Sequence, residues 1–171
     1  SPKAANGNVY DMVMWSILLL DALSIESLKL PPATETFISE LWHYLGNYPI
    51  ADAAEFKNGA NHETFYDNAY LMTHVGYIPT GYGRYALSVD VAPWLYRFLR
   101  ANFYAVMEMG ELDLTAEFVD LFRQYGCDET NDRQLRDGSR YLLALYAQSE
   151  QKWMDYREPY ETESSNPYDL M

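Results

Sequence analysis

The chain predicts an all-α fold, an array of antiparallel helical hairpins. Apolar residues recur at three- and four-residue spacing along most of the sequence, and proline and glycine break that pattern into about six segments. No stretch alternates polar and apolar residues as a half-buried strand would. At 171 residues, with 49% apolar and 22% charged side chains, the chain has a globular balance and the length of one domain. Folding at that size hides about two thirds of the surface an unfolded chain exposes, which is enough for a true core.

The first helix is expected from Val9 to Leu28, with Val13, Ile17, Leu20 and Ser24 on one stripe. Leu30-Pro31-Pro32 stops it, because proline removes a donor and clashes with the preceding turn. Thr34 is expected to cap a second helix that carries Phe37, Leu41, Tyr44 and Leu45 and ends at Gly46. Residues 49–58 read as a polar connector. Asn61 then caps a third helix, with Glu63 favoured in its first turn by the helix dipole. That helix is expected to reach Tyr77, before Pro79, Gly81 and Gly83 force a loop.

Asp90 is expected to cap a fourth helix reaching Met109, with Pro93 tolerated in its first turn. Trp94, Leu95, Phe98, Leu99, Phe103 and Val106 cover most of its circumference, the pattern of a helix buried among others. Helices from Leu114 to Tyr125, closed by Gly126, and from Asp132 to Gln148 follow. Residues 1–155 therefore read as one helical domain. Residues 156–171, charged and poor in aliphatic side chains, read as a linker or tail. The chain opens with Ser-Pro and ends inside that tail, so processing or a longer parent protein is expected.

The net charge of −13 and pI near 4.4 repel phosphate backbones and anionic lipid, so neither nucleic acid nor membrane is an expected partner. The apolar run from Met12 to Leu20 is flanked by Asp11 and Asp21 and falls short of the about 20 residues a bilayer requires. Cys127 is the single cysteine, so no internal disulfide forms. No cation lies near it in sequence, and a quiet thiol in a reducing, cytoplasmic compartment is expected.

The residues that suggest chemistry concentrate between Asn61 and Tyr85. At 100° per residue, Glu63, Asp67, Tyr70 and His74 fall within about 60° of one another, opposite Phe65, Ala69, Met72 and Gly76. A carboxylate or phenol can orient an imidazole through one ring nitrogen while the other acts as a general base. These four residues are the candidate catalytic set, with His74 as acid/base oriented by Asp67 or Tyr70. The loop that follows carries Tyr77, Tyr82, Arg84 and Tyr85 around glycines. Glycine permits close approach, tyrosine gives flat walls with polar tips, and arginine forks onto anions. With His62 these are the candidate substrate-binding residues. The plain alternative is a solvated helix face followed by an aromatic plug at a helix end.

Metal chemistry finds little support. His62-Glu63-Thr64-Phe65-Tyr66 lacks the second histidine of HExxH, and Glu40-Leu41-Trp42-His43 is a single ExxH where di-iron bundles use two. Neither GxGxxG nor GxxxxGK[ST] occurs, so no metal and no cofactor is expected.

Gly138-Ser139-Arg140-Tyr141-Leu142-Leu143, followed by Gln148 and Trp153, resembles the QW motif of terpene-cyclase-like α/α toroids. The segment from Ala116 to Phe122, up to Gly126, looks like the partner helix of such a repeat. The chain departs from the motif at Asp137, where a basic residue is usual, in the spacing from Leu143 to Gln148, and at Gln151, where glycine precedes tryptophan. The aspartate-rich DDxxD and DxDD motifs are absent. The resemblance implies that the array is part of an α/α toroid or barrel whose inner helices line a central cavity. It also implies a second chain or a C-terminal half that completes the ring.

The leading functional expectation is a small-molecule-binding helical toroid, cyclase- or lyase-like, with a His/Tyr/carboxylate site. The alternative is a helical-repeat interaction module without catalysis. A helical metalloprotein using Glu40, His43, His62 and Glu63 ranks last.

Overall fold

In a computed structural model the protein is all-helical, and the structure describes residues 2–23, 25, 28–48 and 62–148; side chains of residues 2–8, 21 and 62–64 are outside that description. Six helices appear among the described residues: α1 Pro2–Leu23, α2 Ala33–Leu45, α3 His62–Thr80, α4 Pro93–Met109, α5 Leu112–Gln124 and α6 Arg133–Gln148. The expected connector at residues 49–58, the Asn61 cap, Trp153 and the tail all lie outside the described residues.

The helix contacts fit an array of helical hairpins, with α1 packed most extensively on α3. The array has two central members. α3 packs on α1, α4 and α5, while α5 packs on α3, α4 and α6; α2 rests on α1, and α6 also touches α4. The apolar face expected on α3 is inside, with Phe65, Ala69 and Met72 at most 1% exposed, and Leu71, Val75 and Ile78 widen it. Around it Leu95, Leu99, Phe103 and Val106 of α4 and Leu114, Phe118, Leu121 and Phe122 of α5 are fully buried. Each such side chain contributes roughly 1.5–3 kcal/mol of transfer free energy, so this cluster is the main source of stability.

Helix packing is closest at two glycines. A Cβ on Gly76 of α3 would sit 2.5 Å from Cδ2 of Leu121, and one on Gly138 of α6 would sit 2.6 Å from Cγ2 of Val119 and 2.7 Å from Cζ of Phe103. Bare hydrogen at these positions lets α3 and α6 seat directly against their neighbours.

Several boundaries differ from expectation. α1 ends at Leu23 instead of Leu28, and turn bonds replace the helical ladder, from Ile25 N–H to the Ala22 carbonyl and from Leu28 N–H to the Ile25 carbonyl. Thr34 does not cap α2; Pro32 holds that position, and Thr34 is a buried residue of the first turn. Asp90 does not cap α4, whose cap residue is Ala92 with Pro93 beginning the helix. α3 continues through Pro79 to Thr80, past the expected stop at Tyr77. Pro79 forfeits its own N–H bond and crowds the turn before it, and α3 runs only one residue beyond it. The Thr80 hydroxyl donates to the Gly76 carbonyl at 3.0 Å and accepts from Gly83 N–H at 3.3 Å, tying the helix end to the loop. The expected Asp132 start of α6 is present as a cap, its Oδ1 accepting Leu135 N–H at 2.9 Å.

Cys127 does have a cation beside it. Arg100, 27 residues earlier on α4, donates to its Sγ at 3.2 Å, to the Tyr96 hydroxyl at 2.7 Å and to Gln134 Oε1 at 2.9 Å. It also pairs with Asp132 and lies over the rings of Phe122 and Tyr96 at 4.3 and 4.8 Å. Burial pushes the Cys127 thiol up, against the pull of Arg100. The guanidinium is a clasp joining α4 to the α5–α6 turn, and the thiol remains a weak nucleophile.

Among the described residues no helix is long and apolar enough to cross a membrane.

Candidate functional site

The polar stripe of α3 meets α1 and α5. Its centre is His74, whose imidazole is hydrogen-bonded on both edges. Nδ1 lies 2.9 Å from the Tyr70 carbonyl and Nε2 lies 3.1 Å from the Tyr10 hydroxyl of α1. A carbonyl only accepts, so Nδ1 carries the proton and Nε2 accepts from the phenol. Both bonds suit neutral imidazole. Burial draws the His74 pKa below its ordinary value, against smaller upward contributions from the Tyr70 carbonyl and Asp113.

The neighbouring residue extends the network toward α5. The Thr73 hydroxyl, fully buried, is 2.5 Å from Oε2 of Glu117, 2.8 Å from the Tyr70 carbonyl and 3.3 Å from Nδ1 of His74. One hydroxyl has one proton and cannot donate to both oxygens. An ionised Glu117 draws that proton to itself, whereas a protonated Glu117 donates to Thr73, which then donates to Tyr70. Burial raises the Glu117 carboxyl to about 7, with the Thr73 bond opposing and the charges of Asp113 and Asp120 adding to the rise. Both protonation states are therefore accessible near neutrality.

Aromatic rings enclose these groups. Tyr10 and Tyr77 stand 4.9 and 5.7 Å from the His74 ring centroid, and Tyr66 packs edge-on against Tyr70 at 4.8 Å. The Tyr70 hydroxyl donates to Asp113 Oδ2 at 2.9 Å. Burial pushes the phenols of Tyr10, Tyr70 and Tyr77 up, and neighbouring carboxylates push the same way, so they remain protonated donors.

Of the sequence candidates, Tyr70, His74, Tyr77 and Tyr82 come together here. Asp67 is half-buried on the same helix face, but the bonds orienting His74 come from the Tyr70 carbonyl and Tyr10. His62 and Glu63 begin α3, with side chains outside the described residues. Arg84 and Tyr85 are exposed on the loop, and the Tyr85 ring covers Gly81.

Sequence reasoning missed Tyr10, Thr73, Asp113, Glu117 and Asp120. A signal was present for three of them. Asp113, Glu117 and Asp120 repeat on α5 the four- and three-residue steps that align Glu63, Asp67 and Tyr70 on α3. Nothing in the sequence announces Tyr10 or Thr73, because their role depends on helix packing.

Among the described residues no group of three or more His, Cys, Asp or Glu is placed to hold a metal ion. A separate apolar cleft of about 350 Å³ lies between Leu20 and Leu23 of α1, Ile38 and Trp42 of α2, and Ile78 and Pro79 of α3. A scan against protein-family models finds no matching family, and searches of curated proteins and of solved structures find no match.

Proposed function

We propose that the protein is a small-molecule-binding enzyme of the acid–base class, cyclase- or lyase-like, working through Tyr10, His74, Thr73 and Glu117. One observation carries this reading: the four groups form a continuous chain of contacts from a half-buried phenol to a carboxyl that titrates near neutrality. Perturbed titratable groups in direct contact are a recurrent mark of functional sites.

In the proposed step Tyr10 meets the substrate. As a substrate proton passes to the Tyr10 oxygen, the phenol's own proton moves to Nε2 of His74. The Nδ1 proton then crosses to Thr73, whose hydroxyl proton goes to the Glu117 carboxylate. Tyr10, His74 and Thr73 each gain one proton and give one, and Glu117 ends protonated. The reverse sequence supplies a proton to the product. General acid–base catalysis of this kind contributes about 10²–10⁴ in rate. The surrounding carboxylates disfavour anionic substrates and favour neutral or cationic ones. On the same reading the helices are part of an α/α toroid completed by a second chain or further helices, acting in the cytoplasm.

Ligand-observed NMR at pH 7 against a library of small neutral and cationic molecules tests this. Binding should be lost or weakened in both Tyr10→Phe and Glu117→Gln while circular dichroism is unchanged. Ligands that bind wild type and both variants equally would remove the site from consideration.

A second reading, a protein-interaction module, is favoured by the outer face of α1, where Trp15 and Leu18 are 62% and 55% exposed. Sedimentation of the chain as a monomer at high concentration, with no change on Trp15→Glu, would argue against self-association through that face.

A further inference from the structure

One part of the cluster is left over by the proton-transfer chain. Asp113, Glu117 and Asp120 line one face of α5, and their hydrogen-bond donors are Tyr70, Thr73 and Gln124, all neutral. Among the described residues no lysine or arginine pairs with any of the three, and the charges acting on Glu117, Tyr77 and Tyr10 are all negative. With Glu117 titrating near neutrality, two to three negative charges stand on adjacent turns of α5 and repel one another.

Gln124 provides an independent observation. Its side chain is 8% exposed, and its amide Nε2 donates to Asp120 Oδ2 at 2.6 Å. That bond turns the amide toward the carboxylate and leaves Oε1 buried without a donor. A buried acceptor without a partner costs about 1–3 kcal/mol, and beside a carboxylate the missing partner is a hydrogen-bond donor. The loop after α3 lies directly on this amide, since a Cβ on Gly83 would be 3.2 Å from Nε2. The adjacent Tyr82 takes a left-handed backbone, φ 56°, and stacks its ring on Tyr77 with centroids 5.0 Å apart and planes at 23°. Tyr82 is 49% exposed, so this corner opens to solvent.

We propose that the C-terminal end of α5 and the Tyr82 loop form a binding subsite for an organic ammonium ion, its N–H groups held by Asp120 and Oε1 of Gln124 against the exposed ring of Tyr82, which Tyr77 backs from inside. The cation supplies both the missing donor and the missing positive charge, and its alkyl body has a phenolic wall to lie on. Cations favour the electron-rich face of such rings. This subsite names the substrate class of the acid–base site proposed above and rests on that reading.

The test is isothermal titration of the full chain at pH 7 with three probes: n-butylammonium, tetramethylammonium and neutral n-butanol. Butylammonium should bind about tenfold more tightly than butanol, with tetramethylammonium between them because it keeps the charge but has no N–H donor. Asp120→Asn and Tyr82→Ala should each weaken butylammonium about fivefold or more, with circular dichroism confirming the fold. Equal affinity for all three probes, or unchanged butylammonium binding in Asp120→Asn, would overturn the subsite. So would binding that survives Asp120→Asn and is lost only in Glu117→Gln. Titration of the Glu117 carboxyl in the Asp120→Asn variant separates the two ideas: a midpoint still well above the ordinary range keeps the acid–base site even where the ammonium subsite fails.

Discussion

His74 and Tyr10 hold each other across the packing of α1 on α3, with Nε2 and the phenolic oxygen 3.1 Å apart and the two rings tilted at 58°. The contact spans 64 residues of sequence and gives a neutral imidazole its second hydrogen bond. It also fixes where α1 lies along α3, because Val9, Val13 and Ile17 are buried on the same helix.

Removing the phenol oxygen leaves Nε2 without its donor inside the protein. Tyr10→Phe should therefore destabilise the fold by about 1–2 kcal/mol. Urea denaturation at pH 7 measures this, and the slope should be unchanged because the ring remains in place.

The lowered pKa of His74 sets a pH dependence. A neutral buried imidazole contributes stability that is fully present above its ordinary pKa of 6.5 and is lost as pH falls through the lower folded value. The unfolded chain binds the proton first and is favoured by acid. Wild type should lose stability relative to His74→Gln between pH 7 and 5, measured by urea midpoints across that range. A constant difference would mean that the imidazole is protonated equally in both states.

Gly76 and Gly138 lie within helices, where alanine gains about 1 kcal/mol of helix propensity. Packing outweighs that gain. The methyl group would meet Leu121 at one site and Phe103 with Val119 at the other, none of which is more than 3% exposed. Overpacking costs typically 1–3 kcal/mol, so Gly76→Ala and Gly138→Ala should each lower the melting temperature rather than raise it.

Arg100→Lys keeps the charge and removes the fork. Lysine cannot reach Asp132, Tyr96 and Gln134 together while lying flat on Phe122. A loss of about 1–3 kcal/mol is expected, together with faster alkylation of Cys127 by a neutral thiol reagent as the α4 clasp loosens. Unchanged stability would show that a point charge suffices at this position.

The sequence revealed the helices because their apolar periodicity reflects real burial, as the buried positions of α4 and α3 show. It misplaced ends where proline misled. Pro79 predicts a stop, but α3 runs one residue past it to Thr80, whose hydroxyl ties the helix end to the following loop. The stripe through Tyr70 and His74 was legible from α3 alone. Its partners were not, because Tyr10 and Glu117 reach His74 and Thr73 only through the packing of α1 and α5 on α3. The Arg100–Cys127 contact was hidden for the same reason, since the guanidinium comes from a different helix. Periodicity shows which face of a helix is unusual, whereas the facing residue depends on tertiary arrangement.

The acid–base account depends on the protonation of one side chain, and ¹³C NMR of the Glu117 carboxyl between pH 3 and 9 measures it directly. The account predicts a midpoint of about 7, with Nδ1 and Nε2 of His74 responding in the same range as Thr73 redirects its proton. A midpoint near the ordinary 4.5, with His74 unaffected, would contradict it.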